Sequence, residues 1–296
     1  MNKVSPVSIS VVIPTYGRNK VLTETIDAVL RLNAPPTEII VVDQSARHCK
    51  QTDRQLGLWQ EEARIKWMRL LEPSIPRAMN QGLLAAKNEL VLFLDDDIIP
   101  SASLVMAHQE AHFKYAANLI AGRVLQSWHN GAPDSAGTPF GFNSLESHET
   151  CEFMGGNFSV VREEALKIGG FDENFVKVAY RFEAEFAHRW RVSGRRIWYE
   201  SSALIHHLKV SDGGTRAFGD HLRSVGPAHT VGAHYFLLKT GGLKSLPGVI
   251  IRIVRSVKSR HHLMQPWWIP VALISEVLGL VWAAWLVILG PRHLQS

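Results

Sequence analysis

Three consecutive aspartates, Asp95, Asp96 and Asp97, follow the apolar run LVLFL at residues 90–94. Side chains alternate along a strand, so Asp95 and Asp97 should point the same way and Asp96 the other way. Two carboxylates on one side of a cleft suit Mg²⁺ or Mn²⁺, which also bind the phosphates of a substrate. The triplet therefore predicts a metal site. A solvated strand end or a helix-cap cluster is the alternative.

Apolar strands and helices alternate in the segments around the aspartates. The pattern predicts strands at 7–13, 38–45, 64–71 and 89–94, and helices at 19–32 and 76–87. This order is typical of an α/β fold whose doubly wound, mainly parallel sheet carries helices on both faces. Ligands of such sheets bind at the carboxyl ends of the strands, where both Asp43 and the aspartate triplet fall. The middle of the chain is less regular, with a helix predicted at 181–193 and a strand at 195–201.

Charge is distributed unevenly along the 296 residues. From residue 221 onward there are eight Lys/Arg and one acidic residue, Glu276, whereas the first 220 residues are slightly acidic. A basic segment of this kind indicates nucleic acid or an anionic membrane surface as a partner. The two cysteines fit neither a metal site nor a disulfide scaffold. The first residues lack the pattern of a secretory signal, so we expect a cytosolic setting for the N-terminal part.

The C-terminal tail, residues 216–296, favours the membrane over nucleic acid. VIIRIVRSVKSR at 249–260 predicts a basic amphipathic helix, and WWIPVALISEVLGLVWAAWLVILG at 267–290 is long enough to span a bilayer. Tryptophans at both ends of the second segment suit membrane interfaces, although Pro270 and Glu276 are unusual in a span. We expect the tail to span the membrane or to lie in its plane, at the cytoplasmic face. A helix packed on the protein or a partner is the alternative.

Five segments occur in this order: VSISVVIPTYGR, IIVVDQS, SIPRAMNQGLLAAKNELVLFLDDD, GGNFSVV and GGFDENF. Together they resemble an inverting family 2 glycosyltransferase with the GT-A fold, over about residues 7–210. The resemblance implies a catalytic domain at 1–215, a nucleotide-diphosphate sugar as donor and a divalent metal ion on its diphosphate. The implied reaction is transfer to a hydroxyl of a glycan, polysaccharide or lipid-linked acceptor.

The resemblance also implies which residues hold the metal ion and the nucleotide. Asp97 is the first candidate metal ligand, Asp95 would contact the metal ion or the ribose, and His206 would contact the metal ion or a phosphate. The residues implied at the nucleotide are Pro14, Thr15, Tyr16, Arg18, Asp43, Arg77, Asn80, Asp95 and Asp96. A cap role for Asp43, a surface role for Arg77 and a structural role for His206 are the alternatives.

A general base must take the proton of the acceptor hydroxyl. Family members usually carry Glu-Asp ahead of a helix, and counting back from Arg189 and Gly194 places Phe182-Glu183 there. Glu183 is therefore the candidate base and Glu185 its rival, with solvated helix acids in a weak or inactive enzyme as the alternative. The turn that matches the acceptor side of the family, or is simply a tight turn, is Gly155, Gly156 and Asn157.

Two other functions remain open from the sequence. A nucleotidyltransferase shares the doubly wound plan and the metal ion, but PTYGRNK is a poor version of its glycine-rich phosphate loop. A degenerate family member could bind nucleotide sugars as a scaffold, and the altered Glu-Asp motif is its only support. A dinucleotide oxidoreductase is disfavoured, because no G-x-G-x-x-G follows the first strand.

Overall fold

The computed structural model describes residues 7–127, 133–138, 141–219, 222 and 224–295. Nine strands among them form one mixed sheet. The strands are β1 (Ile9–Thr15), β2 (Glu38–Asp43), β3 (Lys66–Arg69), β4 (Leu90–Leu94), β5 (Ile98–Pro100), β6 (Leu119–Gln126), β7 (His148–Thr150), β8 (Asn157–Val161) and β9 (Ile197–His207).

The strands lie in the order β3-β2-β1-β4-β8-β6-β9-β5, and β7 pairs with β9. The first four strands in this order are parallel to one another. The antiparallel pairs all involve β8 or β9, which lie in the other half of the sheet. The predicted α/β fold with a mainly parallel sheet is therefore confirmed. Because β1 and β4 are parallel neighbours, Thr15 and the aspartate triplet come to the same edge.

Helices cover both faces of the sheet, because strand side chains alternate between two apolar cores. The helices that accompany the strands are α1 (Lys20–Leu30), α2 (Lys50–Glu61), α3 (Ile75–Ala85), α4 (Leu104–Tyr115), α5 (Arg162–Lys167) and α6 (Phe182–Val192). On β1, Val12 packs into the core that contains α3 and α6, and Val11 and Ile13 pack into the core that contains α1, α2 and α4.

Four further helices follow the sheet. They are α7 (Val231–Gly241), α8 (Leu246–Val257), α9 (Arg260–Met264) and α10 (Ile269–Leu289). The predicted basic amphipathic helix corresponds to α8, and the predicted apolar segment corresponds to α10. Val231 and Tyr235 of α7 and Ala283 and Leu286 of α10 belong to the same apolar core as α3 and α6. The tail and the sheet therefore share one core.

Helix α10 has one buried face and one exposed apolar face. The segment Pro266–Leu289 is long and apolar enough to cross a membrane. The buried residues of α10 are Ser275, Glu276, Gly279, Ala283 and Leu286. Their spacing of three or four residues places them on one face of the helix, and that face contacts α7. The opposite face exposes Val277, Val281, Trp285 and Ile288.

Helix α10 is hydrogen-bonded to the rest of the protein at two places. In the first half of the helix, the Ser275 hydroxyl donates to the Gly226 carbonyl at 3.0 Å. Just after its end, the Gly290 carbonyl accepts from Asn174 Nδ2 at 2.7 Å, and Arg292 N–H donates to Asp172 Oδ1 at 2.9 Å. These bonds attach α10 to the segment before α7 and to the loop that carries Asp172 and Asn174.

Candidate active site

A cavity of about 360 Å³ opens at the carboxyl ends of β1 and β4. Its walls come from the ends of β1, β2, β4 and β9, the Gly155-Gly156 turn, the first turn of α6 and the 3₁₀ segment Gly214–Phe218. This volume lies in the usual range of small-ligand sites. The cavity also occupies the edge of the sheet at which ligands of doubly wound folds bind.

Asp95, Asp97 and His207 meet on one wall of this cavity. His207 Nε2 lies 3.1 Å from Asp97 Oδ1 and 3.8 Å from Asp95 Oδ2. The three possible ligand atoms all lie within 4.8 Å of one another. Asp95 and Asp97, which are two residues apart, thus converge with His207 from β9.

This group of side chains fits a divalent metal ion. His207 Nδ1 lies 2.8 Å from Gln126 Oε1, which accepts a proton carried on Nδ1 and leaves the Nε2 lone pair facing the two carboxylates. Two carboxylates with an imidazole suit Mn²⁺, and the carboxylates alone suit Mg²⁺. His206, the residue predicted from the sequence, is exposed on the other side of β9. The structure therefore brings His207, and not His206, to the aspartates.

Asp96 ties the end of β4 to the segment after β1. The Thr15 hydroxyl donates to Asp96 Oδ2 at 2.5 Å, and Arg18 Nε lies 3.6 Å from Asp96 Oδ1. Burial raises the pKa of Asp96 to about 7, although these two partners act in the opposite direction. The same Arg18 reaches Asp97 Oδ2 with Nη2 at 3.3 Å, so it links two of the three aspartates.

Asp97 is held in its ionised form. Burial alone would raise its pKa, but the hydrogen bond and charge of His207, the charge of Arg18 and the Val210 N–H together lower the pKa below its usual value. The Val210 N–H donates to Asp97 Oδ2 at 3.0 Å. An ionised carboxylate is the form that binds a cation.

Glu183, in the first turn of α6, lines the same cavity. Burial raises its pKa to about 7, and the charge of Asp95 adds to this, while the N–H groups of Glu183 and Gly155 partly offset the rise. A carboxyl group with a pKa near 7 is suited to take up a proton at neutral pH. Glu183 therefore has the position and the protonation behaviour of a general base.

The rival carboxylate, Glu185, faces away from this cavity and is almost fully buried. Its Oε1 lies 2.6 Å from Arg189 Nε and 2.7 Å from Lys239 Nζ. The Lys239 ammonium also lies 2.6 Å from Asp172 Oδ2. Asp172, Glu185 and His293 are close enough to resemble a second group of metal ligands. Lys239 already places a positive charge between the two carboxylates, so this cluster is complete without a metal ion.

The glycines of the predicted acceptor-side turn lie against the carboxylates of Asp95 and Glu183. A Cβ atom on Gly156 would come within 2.0 Å of Asp95 Oδ2, and one on Gly155 would come within 3.0 Å of Glu183 Oε1. Only glycine leaves room for both side chains at these positions. Asn157 is buried behind the cavity, where its Nδ2 donates to the carbonyls of Arg123 and Ala203 at 3.0 and 2.8 Å.

The predicted nucleotide residues divide into those that face the cavity and those that support it. The cavity is lined on the β1 side by Pro14, Thr15, Tyr16 and Arg18. Asp43 lies behind this wall with no exposed surface, and Gln44 lines the cavity next to it. The Asp43 carboxylate accepts from Ser45 N–H at 2.8 Å and from Trp67 Nε1–H at 3.0 Å, and His48 Nε2 lies 2.7 Å away.

Arg77 and Asn80, both on α3, hold the loop at 169–175. Arg77 Nε lies 3.2 Å from Glu173 Oε2. Asn80 Nδ2 donates to the Phe171 carbonyl at 2.9 Å, and Asn80 Oδ1 accepts from Phe171 N–H at 2.8 Å. The α3 side of the cavity is formed instead by Ser74, Ile75 and Met79.

Arg216 is a cavity residue that the sequence analysis did not identify. It lies in the 3₁₀ segment Gly214–Phe218, which is held against the segment after β1 because Gly214 N–H donates to the Tyr16 carbonyl at 2.7 Å. Gly213 and Gly214 both have positive φ, at 72° and 56°. The available signal was the pair of glycines followed by an arginine shortly after the last strand.

Similarity to known proteins extends over more than half of the chain. The profile of the family described as "Glycosyl transferase family 2" matches residues 10–167. The GalNAc(5)-diNAcBac-PP-undecaprenol beta-1,3-glucosyltransferase of Campylobacter jejuni is 27% identical over 175 residues, which are 56% of this chain and 55% of that protein. The chain thus spans a little over half the length of this curated relative.

Two solved structures share the fold. The mannosyltransferase PcManGT from Pyrobaculum calidifontis, in complex with GDP-Man and Mn²⁺, aligns with a TM-score of 0.55 and 17% identity over 97% of this chain and 80% of that one. S. aureus TarS 1–349 in complex with UDP-GlcNAc aligns with a TM-score of 0.58 and 16% identity over 89% of this chain and 79% of that one. The GT-A-type fold predicted from the sequence is therefore confirmed. Because the family profile covers more than half of the chain, the protein belongs to glycosyl transferase family 2.

Proposed function

We propose that the protein transfers a sugar, with inversion, from a nucleotide-diphosphate sugar to a hydroxyl of a lipid-linked glycan, in a reaction that requires Mg²⁺ or Mn²⁺. The observation that carries this proposal is one cavity with the Asp95-Asp97-His207 group on one wall and Glu183 on another. A bound divalent ion would supply positive charge against the diphosphate of the leaving nucleotide. Asp95, Asp97 and His207 would hold it.

The side chains of this cavity have separate roles in the proposed reaction. The Glu183 carboxylate takes the proton of the acceptor hydroxyl, whose oxygen forms a bond to the anomeric carbon. The bond from that carbon to the donor diphosphate breaks, and its electron pair leaves with the nucleotide. Arg216 and Arg18 add positive charge on the diphosphate side of the cavity.

We infer inversion from the family resemblance, and the carboxylates that line the cavity support it. The acids among the described residues that line the cavity are Asp95, Asp96, Asp97 and Glu183. Asp95 and Asp97 are assigned to the metal ion, and Asp96 is bonded to Thr15 and Arg18. Glu183 is then the base, which leaves no second carboxylate to form a covalent sugar intermediate. A single displacement inverts the anomeric centre, and NMR of the product's anomeric proton would test this.

A lipid-linked acceptor at the cytoplasmic face of a membrane is supported by the tail and by the relative. The name of the Campylobacter protein describes an acceptor on undecaprenol diphosphate. In this chain α8 and α10 expose apolar residues such as Ile250, Val254, Val281 and Trp285 beside basic residues of α8. An amphipathic surface of this kind binds at a membrane interface.

The proposal is tested by nucleotide binding and turnover of the full-length protein in detergent. We expect one nucleoside diphosphate and its sugar to raise the melting temperature in the presence of Mn²⁺ and not with a chelator. Asp97→Ala should remove this metal-dependent shift, and Ser211→Ala, a change at an exposed position, should not. Metal-dependent binding without sugar transfer to any tested acceptor would favour a nucleotide-sugar-binding scaffold. Formation of a sugar nucleotide and pyrophosphate from a sugar phosphate and a nucleoside triphosphate would show a nucleotidyltransferase.

A further inference from the structure

A second cavity, of about 740 Å³, lies among α7, α8 and α10. Val178 and Tyr180 line both this cavity and the candidate active site, so the two cavities are neighbours. Both residues belong to the segment before α6, where Lys177, Ala179 and Arg181 have positive φ. Non-glycine residues adopt this conformation at a cost, and it is concentrated at functional sites.

The second cavity is electropositive. Among the described residues that line it are three arginines, Arg181, Arg252 and Arg255, and one carboxylate, Glu276. Glu276 is already neutralised, because Arg252 Nε lies 3.2 Å from its Oε2 and His234 Nε2 lies 2.6 Å from the same oxygen. Positive charge therefore remains in the cavity to meet an anion.

Helix α8 places an apolar stripe, formed by Ile250 and Val254, directly beside this positive charge. Its cavity-lining residues are spaced by three or four positions, as on one face of a helix: Gly248, Ile251, Arg252, Arg255 and Ser256. Ile250 and Val254, one position before Ile251 and Arg255, are 63% and 42% exposed. An anionic group in the cavity would thus have an apolar surface along which an attached hydrocarbon chain can lie.

We propose that this second cavity binds the phosphate or diphosphate that joins the acceptor glycan to its lipid. Arg255 binds the phosphate oxygens, and the apolar stripe of α8 contacts the lipid chain. The wall shared through Val178 and Tyr180 then places the acceptor glycan next to Glu183. This inference rests on the proposed transfer to a lipid-linked acceptor and locates the part of the protein that selects it.

The test measures the Kd of farnesyl diphosphate for the full-length protein in detergent with a chelator present. Tryptophan fluorescence reports the binding. Arg255→Gln removes one cation from the cavity without touching the Glu276 pair, and Arg255→Glu reverses the charge. Lys258→Gln is the matched control, because Lys258 is an exposed cation on the same helical segment that does not line the cavity. We expect Arg255→Gln to raise the Kd about 10-fold, Arg255→Glu to raise it further, and Lys258→Gln to leave it unchanged.

Two comparisons test which ligand the second cavity binds and in which of the two cavities farnesyl diphosphate lies. Inorganic pyrophosphate should bind at least 10-fold more weakly than farnesyl diphosphate, because the apolar stripe contributes to affinity. Asp97→Ala should leave farnesyl diphosphate binding unchanged, since Asp97 lies in the other cavity. Equal binding of pyrophosphate would overturn the assignment to a lipid phosphate. Loss of binding in Asp97→Ala but not in Arg255→Glu would place the diphosphate in the donor cavity and overturn the proposal.

Vesicles of phosphatidylglycerol separate the acceptor from ordinary membrane lipid. If Arg255→Glu and Lys258→Glu weaken vesicle binding equally and neither changes farnesyl diphosphate binding, the arginines serve the membrane surface and the proposal is wrong. Nucleotide binding with Mn²⁺, measured on the same variants, is independent of this result. Its absence in the unmodified protein would count against the proposed function, whereas its retention in Arg255→Glu shows that only the acceptor site has changed.

Discussion

Glu183 and Glu185 are two positions apart on α6, which turns their side chains about 200° from each other around the helix axis. Only one of them can therefore face the active site. The structure directs Glu183 to the cavity and directs Glu185 to Arg189 and Lys239. The sequence could not show which of the two acids faces the cavity. Their positions on different sides of the helix give them different surroundings and therefore different chemistry.

Glu183→Gln is expected to lower kcat by roughly 10²–10⁴-fold, because an amide cannot accept the proton of the acceptor. The Kd of the nucleotide measured by calorimetry should stay within about twofold, because Gln keeps the size of the side chain. Glu185→Gln is the control: it should lower the melting temperature and leave kcat of the folded protein largely intact. Full activity in Glu183→Gln would show that another group is the base.

The pKa of Glu183 also predicts how the rate depends on pH. The base acts as a carboxylate, so kcat/KM for the acceptor should rise as pH increases through the pKa of Glu183, which burial raises to about 7. A bound metal ion would offset part of the Asp95 charge, so the midpoint should fall between the ordinary value of about 4.5 and about 7. Rates from pH 5 to 8.5 at saturating Mn²⁺ would measure it, with nucleotide affinity followed over the same range. A rate that falls across this range would contradict the assignment.

The elements of the sheet were largely predictable from the sequence, because each apolar strand ends in a polar break. The strands at 7–13, 38–45 and 89–94 and the helices at 19–32 and 76–87 correspond closely to β1, β2, β4, α1 and α3. The predicted strand at 195–201 is longer in the structure and reaches His207. The spacing of apolar residues carried this information because it records which side faces a core.

The position of the site histidine depends on a bulge that no local pattern reveals. In the pairing of β6 with β9, Gly122 pairs with Glu200 and the next residue, Arg123, pairs with Leu204. Three residues of β9 are therefore unpaired, and an odd number of extra residues reverses which side chains share a face. This brings His207 to the aspartates and leaves His206 outside. Arg216 was missed for a similar reason, since its loop folds back onto β1.

The Gly155-Gly156 turn makes a prediction about metal binding. Gly156→Ala would place a Cβ atom 2.0 Å from Asp95 Oδ2, so Asp95 must move away from Asp97 and His207. We expect weaker Mn²⁺ binding, by roughly 10-fold or more, since one ligand is lost or misplaced. Titration with Mn²⁺ followed by electron paramagnetic resonance measures this affinity.

Gly57→Ala is the matched control, because a Cβ atom on Gly57 meets nothing within 4 Å. This glycine lies inside α2, so alanine there should stabilise the protein by about 1 kcal/mol without changing Mn²⁺ affinity. Unchanged Mn²⁺ binding in Gly156→Ala would mean that Asp95 is not a metal ligand.

Lys239 joins the tail to the catalytic part through two buried carboxylates. Lys239→Met should destabilise the protein by roughly 3–5 kcal/mol, because Asp172 and Glu185 would lose their shared cation. Lys244→Met, at an exposed position, should change the melting temperature little.

The pKa of Asp172 is lowered, since the hydrogen bond and charge of Lys239 and two backbone N–H groups outweigh its burial. Its stabilising contribution is therefore complete above its ordinary pKa of about 3.9 and is lost as pH falls through the lowered value. The difference in stability between the unmodified protein and Lys239→Met should persist at pH 5–8 and narrow towards pH 3.

At the scale of the whole molecule, we predict that α10 lies in the membrane plane and does not cross the bilayer. Its 21 residues give a length of about 31 Å, which matches the hydrocarbon thickness of a bilayer. A crossing helix would have its ends on opposite sides of the membrane. Here Ser275, in the first half of the helix, and Gly290, just after its end, are both hydrogen-bonded to the same folded body. The buried Glu276 also pairs with His234 and Arg252, so a crossing would break these contacts.

Cysteine labelling can distinguish the two orientations. The exposed thiols Cys49 and Cys151 are first replaced by serine, and single cysteines are then placed at the exposed positions Lys258 and Gln295, on either side of α10. If α10 lies in the plane, a membrane-impermeant maleimide should label both positions in inverted membrane vesicles and neither in intact cells. If α10 spans the membrane, the maleimide should label one of the two positions only in inverted vesicles and the other only in intact cells. Labelling of both positions on the same side would show that the hydrogen bonds of Ser275 and Gly290 are kept in the membrane-bound protein.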